Sequence, residues 1–464
     1  MMPTIRNKIK LLPLAALSLI GVNEPIYAAT KSTYDEVLPP ESPYLKSTSE
    51  EGDSPKSERS KPEVENWDAE FKVYFRAGMV DGMDQSREFK LPGSASKYRL
   101  GNEFDQYGEF LFRQDLARLG DGSIISLQAG GEITYPYGVN HFGGKEGDPR
   151  LTQSNLIWRN IPWLGGGSLT AGRTLYVKSN TIHIYDYDYQ DLSGLGVGIQ
   201  DVPLGPVKAT WTLSRQDNLD QEDYVTRNNL LFEGLNLNPN GFIDFGFTHI
   251  ARNKELANTN SGWSASLQHR QLFSDQEKNI FAVQYGEGPG TNLGFTGDIM
   301  LDRDNTSWRL LDSYEWQNER FGGQVLGLWQ RDHFSDGLGQ DVLSVGARTT
   351  YSLTDYLKLA LEIGHDRIKP DGSDALDMTK ITFAPIISPS GSGFWKRPEI
   401  RLFYTFGFWS SAAQEAADRL NPGSALSGTG AFGSALHGSN FGIQIEYWNS
   451  NYTPVKDTIK YMGW

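Results

Sequence analysis

The chain has 464 residues, no cysteine, a hydrophobic fraction of 38% and a formal net charge of −14. The lack of cysteine excludes disulfides, thiolate metal sites and thiol catalysis together, and the acidity argues against a nucleic-acid partner. A mean hydropathy of −0.47 excludes a bundle of membrane-spanning helices. It leaves a membrane barrel open, because barrel strands alternate apolar with polar residues and average out as hydrophilic.

In chain order, residues 1–28 have the form of a signal peptide. Arg6, Lys8 and Lys10 make a basic start, Leu11 to Val22 a short apolar core, and Ile26-Tyr27-Ala28 a small-residue cleavage site. Loss of Arg6, Lys8, Lys10 and Glu24 removes a net +2 and takes the charge from −14 to −16. Residues 29–66 are rich in Ser, Pro, Glu and Lys and poor in aliphatic side chains. Such a segment cannot bury enough apolar surface to offset its ordering entropy, so a disordered periplasmic extension is expected.

From residue 67 to residue 448, segments of period two repeat. Phe71, Val73 and Phe75 alternate with Lys72, Tyr74 and Arg76; Phe441, Ile443, Ile445 and Tyr447 alternate with Gly442, Gln444, Glu446 and Trp448. Each pattern has one apolar and one wet face, and with lipid outside the polar residues line a lumen. Tight turns are predicted at 120–122, 162–168, 202–207, 238–241, 274–279, 318–320, 352–356 and 388–398. Longer polar loops are predicted at 81–96, 135–150, 215–226, 286–305 and 410–438. Short turns at one rim and long loops at the other characterise outer-membrane barrels. The expected fold is an all-β, antiparallel transmembrane barrel of about eighteen strands, set in the lipid of a Gram-negative outer membrane. Both termini then face the periplasm, and 449–464 form a C-terminal extension.

At this point the residues resemble the maltoporin (LamB) sugar-porin family from about Phe71 to Trp448. Phe71-Lys72-Val73-Tyr74-Phe75-Arg76-Ala77-Gly78 is similar to the family's first strand, and Ser96-Lys97-Tyr98-Arg99-Leu100-Gly101-Asn102-Glu103 to its second-strand signature. Ala171-Gly172-Arg173 and then His183-Ile184-Tyr185-Asp186-Tyr187-Asp188-Tyr189 resemble the third loop, which folds into the pore. Trp395-Lys396-Arg397-Pro398-Glu399-Ile400-Arg401 and Phe441-Gly442-Ile443-Gln444-Ile445-Glu446 match near the end. The resemblance implies an eighteen-stranded homotrimer that passes oligosaccharides along an aromatic "greasy slide" flanked by polar tracks. The chemistry is coherent, since rings stack on the C–H faces of a pyranose while arginines and carboxylates exchange hydrogen bonds with its hydroxyls. A channel needs such binding to be weak and repeated.

Carried over by position, the slide falls on Tyr74, Tyr107, Trp395 and Trp448, and the polar track on Arg76, Arg99, Glu109 and Asp186, with Lys178 near a further family arginine. Alternation alone also puts Tyr74 and Tyr107 on the wet face. The chain departs from the family in several places. Thr152 stands for a pore arginine and Lys278 for a slide aromatic, and Tyr137, His141 and Phe142 are all candidates for the ring that the second loop lends to a neighbouring subunit. Asp188 replaces the tyrosine that narrows the constriction, which resembles the sucrose porins and implies a wider throat for sucrose and raffinose as well as maltose and maltodextrins. The family ends with its last strand, whereas this chain runs on to Trp464.

Two other classes compete. A secreted β-rich glycoside hydrolase would use paired carboxylates, but the spacing of Asp186 and Asp188 says nothing of their separation across a sugar. A soluble enzyme also does not need an outward apolar face on nearly every strand. A carbohydrate-binding surface protein, a lectin or adhesin on a barrel scaffold, is the second. His183 has no second histidine at ligand spacing and is expected to pack in the loop or line the lumen. No enzyme, cofactor or metal site is expected. Within the channel class, the alternative is a weakly selective general diffusion porin.

Overall fold

The computed structural model describes residues 69–81, 87–135, 148–216, 225–449 and 453–454. The expectations for 1–28 and 29–66, the candidates Tyr137, His141 and Phe142, and Trp464 lie outside the described residues.

Eighteen antiparallel strands run from Ala69–Val80 to His437–Trp448, each bonded to the next, and the last pairs with the first through Tyr74↔Trp448 and Arg76↔Glu446. Closure matters because an open sheet edge would leave backbone groups unpaired in hydrocarbon. All eight predicted tight turns fall between strands on one rim, and the connections at the other rim include the long ones. In the C-terminal extension, Thr453–Pro454 pairs with Phe71 and Glu70.

Side-chain alternation follows the lipid–lumen division. On the first strand Phe75 and Met79 are exposed while Tyr74, Arg76 and Val80 are buried. On the last, Phe441, Ile445 and Tyr447 are exposed while Gln444 and Glu446 are buried. Exposed Phe110, Leu267, Phe281, Ile363 and Leu402 continue the outward apolar band around the barrel.

Two expectations need correction. Ser96–Glu103 is not part of the second strand, which is Gln106–Arg118; residues 87–105 carry no strand and run inside the barrel. The reason is apolar. Phe89 and Leu91 are fully buried against Ile368, Met378, Trp409 and the alanines of the helix Ser411–Leu420, and Leu100 and Phe104 against Ala360, Ile386 and Phe403. The inner face is also not uniformly polar. Ile280, Ala282, Leu311, Leu326 and Leu328 point inwards, where Ile182, Ile184, Tyr185 and Tyr189 of the third loop cover them.

The inward loop is seated on missing side chains. Gly346 and Gly364 are cross-strand partners, and the Tyr98 ring lies flush on both: a Cβ at either would come within 2.1 or 2.0 Å of its atoms. The Tyr98 hydroxyl meets Ser344 Oγ at 2.8 Å. Gly364→Ala is therefore expected to dislodge the ring at a cost of about 1–3 kcal/mol, seen as a lower midpoint for heat modification of the purified barrel. In a Tyr98→Ala background the same substitution should cost far less. Equal costs in the two backgrounds would mean that the loop is not seated there.

Candidate functional site

Four aromatic rings form a file along the inner wall. Tyr107 and Tyr74 have ring centroids 5.6 Å apart, Tyr74 and Trp448 6.2 Å with planes at 24°, and Trp448 and Trp395 6.4 Å. Sequence period and register produce the file: Tyr74 is opposite Trp448 across the closing seam and Tyr107 opposite Arg76 across the next strand pair. Trp395 joins from the rim turn 388–398. The rings of Tyr74 and Tyr107 are only 2% and 1% exposed, whereas Trp395 and Trp448 are half-buried. Tyr74 donates to Glu446 (3.0 Å). The Tyr107 hydroxyl lies 3.0 Å from both Glu109 and Glu132, and its single proton serves one of them at a time. Tyr176 of the third loop donates to Glu109 (2.5 Å).

Beside the file lies a buried network of charges. Arg76 donates to Glu103 (3.1 Å) and Asp105 (2.8 Å), and Arg99 to Glu103 (2.6 Å) and Glu446 (3.0 Å). Arg397 bridges Glu446 and Glu399, each at 2.9 Å, and Arg401 bonds both of those carboxylates. Lys358 pairs with Glu399 (2.6 Å), Arg348 with Glu362 (2.7 Å) and Lys380 with Glu362 (2.8 Å). The Arg397 guanidinium also lies 3.9 Å from the centre of the Trp448 ring, a cation–π contact on one indole face. Buried charges persist only when paired and hydrogen-bonded, and here each one is fixed by several partners.

The third loop crosses this wall. Tyr185 donates to Asp366 (2.8 Å), Tyr189 to Gln268 (2.5 Å), and the Ile184 amide to Gln324 (3.0 Å). Lys178 pairs with Asp201 (2.7 Å) and Glu233 (2.8 Å), so it anchors the loop's root. Tyr176, Lys178 and Asp186 all have φ between 50 and 54°. Such non-glycine residues cost of order 1–3 kcal/mol each, which the tethers must hold. Asp186 is buried beside Arg99 (3.8 Å), and burial pushes its carboxyl up to about 6 although Arg99 pulls the other way. His183, fully buried between the first loop, the rim turn and the last strand, is held well below the ordinary histidine range by that burial and by Arg99.

Thus the structure brings Tyr74, Tyr107, Trp395, Trp448, Arg76, Arg99, Glu109 and Asp186 to one side of the lumen and places Lys178 at the loop's root. Asp188 accepts from the Ser179 (3.5 Å) and Thr181 hydroxyls of its own hairpin, 180–182 with 187–190. Thr152 is buried on the inner wall, and Lys278 meets Glu315 (3.6 Å). Sequence reasoning passed over Glu446, Glu399, Arg397 and Arg401 as site residues. The signal was available, since Glu446 alternates with outward Ile445 and Tyr447, and Glu399 and Arg401 flank outward Ile400.

Residues 69–449 match the family described as LamB porin. Among solved structures, the chain is similar to OccAB1 of Acinetobacter baumannii at 11% identity, over 85% of this chain and 99% of that one, with a TM-score of 0.48. It is similar to OmpT of Vibrio cholerae at 13% identity, over 83% and 99%, with a TM-score of 0.41. OccD3 (OpdP) of Pseudomonas aeruginosa gives 10% identity, 84% and 95%, and 0.45. Likenesses this remote carry no argument about function.

Since Asp188 is bonded within its hairpin, Asp188→Ala is expected to loosen the loop. Single-channel recording should show greater open-channel noise with a mean conductance near wild type. A large conductance change at unchanged noise would place the carboxylate in the ion path instead.

Proposed function

The chain belongs to the LamB porin family, and from that premise we propose that this outer-membrane barrel admits di- and oligosaccharides of the sucrose, raffinose and maltose–maltodextrin class by facilitated diffusion. The observation that carries the reading is the four-ring file, with successive centroids 5.6, 6.2 and 6.4 Å apart beside buried arginines and carboxylates. Rings at that spacing offer a pyranose a series of equivalent stacking steps, and fixed donors and acceptors alongside exchange hydrogen bonds with its hydroxyls. Trp395 and Trp448, on the tight-turn side, are the partly exposed members of the file and so the rings open to a sugar. Tyr74 and Tyr107, which are buried, serve once the third loop, bonded to Glu109 through Tyr176, shifts. Asp188, in place of a ring, keeps the hairpin slim enough for branched sugars. The functional unit is a homotrimer in outer-membrane lipid and uses no cofactor.

The seal over Tyr74 and Tyr107 favours one other reading, a general diffusion porin in which these tyrosines are wall residues. Liposome swelling with a size-graded sugar series separates the two. The sugar reading expects rates above those set by solute size for maltose, sucrose and raffinose, and saturable sugar block of ion current. Trp448→Ala should raise the half-blocking maltose concentration about twofold to tenfold, the loss of one stacking contact of ~0.5–1.5 kcal/mol, with conductance near wild type. Rates that follow size alone, with no saturable block, would establish the general porin.

A further inference from the structure

The tip of the third loop puts an imidazole where the surroundings suit something else. His183 is 1% exposed. Its ring centroid is 4.9 Å from Trp395 and 5.6 Å from Trp448, with Phe394 edge-on at 6.1 Å. Three guanidinium groups converge on its two nitrogens: Arg99 Nη1 lies 3.1 Å from Nδ1, while Arg348 Nη1 and Arg397 Nη2 each lie 3.3 Å from Nε2.

This is a poor match for histidine. An imidazole offers at most one acceptor nitrogen: one in the neutral form, which burial favours, and none when protonated. At least one guanidinium therefore faces a donor, whichever tautomer is present. The arginines do not depend on the imidazole for their positions. Glu103 and Glu446 hold Arg99, Glu362 holds Arg348, and Glu399 and Glu446 hold Arg397. Two indoles and three fixed cationic donors describe a cradle for a ring with apolar faces and acceptor oxygens along its edge.

We propose that His183 is a built-in occupant of a sugar subsite bounded by Trp395, Trp448, Arg99, Arg348 and Arg397, and that a pyranose must displace it to bind. The proposal rests on the sugar-channel reading above and deepens it. Hydroxyl oxygens of a pyranose accept from all three guanidinium groups, which the imidazole cannot do. Displacement exchanges one ring for another between the indoles, so the bound sugar inherits an already dry and ordered site. An occupant of this kind lowers apparent affinity by the fraction of time the site is free.

The test is maltose block of ion current in planar bilayers, for the full-length protein and for His183→Ala. Removing the occupant should lower the half-blocking maltose concentration about threefold to tenfold and raise single-channel conductance. An unchanged or higher half-blocking concentration would overturn the proposal, since it would make His183 a strut for the arginines or a bystander. Trp448→Ala run alongside separates the two levels of argument. If that variant weakens block but His183→Ala does not strengthen it, only the occupant proposal falls. If wild type shows no saturable block, the sugar-channel reading falls and takes the proposal with it. A second measurement covers failure of His183→Ala to insert. Because the chain has no cysteine, His183→Cys can be titrated alone with a small water-soluble methanethiosulfonate. Saturating maltose should slow its modification; equal rates, or no modification in either condition, would overturn the proposal as well.

Discussion

The interior of this barrel is organised around one carboxylate. Glu446, on the last strand, accepts from Tyr74 of the first strand, Arg99 of the inward first loop, Arg397 of the rim turn and Arg401 of the strand that follows it. These four donors come from two distant parts of the chain, Tyr74 and Arg99 near the start of the barrel and Arg397 and Arg401 near its end, and meet only at the closing seam, where Arg76 is the cross-strand partner of Glu446. Removing such an acceptor would leave uncompensated buried cations, a loss of the 3–5 kcal/mol kind. The seam, the first loop and the rim turn that carries Trp395 are therefore coupled through a single group. The aromatic file inherits its geometry from that coupling, because Tyr74 and Trp448 flank Glu446 on the same wall.

Much of the architecture was legible in the sequence because the physics of strands is local. Period two sorts Phe75 from Tyr74 and Ile445 from Glu446 without knowledge of anything distant, and turn residues mark one rim. Alternation reports which face a side chain is on, but not what crosses the lumen in front of it. Tyr74 and Tyr107 were placed on the inner face correctly, yet nothing local announces that both are buried there, with Tyr176 bonded to the Glu109 that Tyr107 also meets and His183 packed on the neighbouring Trp448. The same limit explains Ser96–Glu103, whose sequence resembles a strand signature but whose apolar members found inward partners on strands hundreds of residues away. Gly346 and Gly364 are silent until Tyr98 is seen lying on them.

The inward apolar patch under the third loop follows from the same competition. A water-filled barrel has no use for Leu311, Leu326 and Leu328 on its inner wall, and they are stable there because Ile182, Ile184 and Tyr189 cover them. Burial of this kind gains roughly 25 cal/mol per Å² of apolar surface, enough to help hold three left-handed non-glycine residues in one loop. The phenol–carboxylate bonds of Tyr176 and Tyr185 then fix direction rather than supply the bulk of the stability. Tyr185 belongs to the apolar cover as well, whereas the Tyr176 end of the loop is held by polar contacts, its bond to Glu109 and the ion pairs of Lys178.

That asymmetry bears on how a channel can combine selectivity with turnover. A solute that had to desolvate the arginine network from water would meet a large cost, because guanidinium and carboxylate groups would both lose hydration. Here the network is already dry, each cation is already neutralised by a carboxylate, and the donors that face His183 are those left over from that pairing. On the proposed sugar reading, an incoming hydroxyl would meet donors whose desolvation has been met by the fold, so its hydrogen bonds would be strong relative to those in water. They would remain few, and the rings on either side would hold a pyranose by contact rather than by charge, leaving release open. On that reading selectivity would come from geometry fixed in the closed barrel, and weakness from the small number of groups that the charge network leaves unspent.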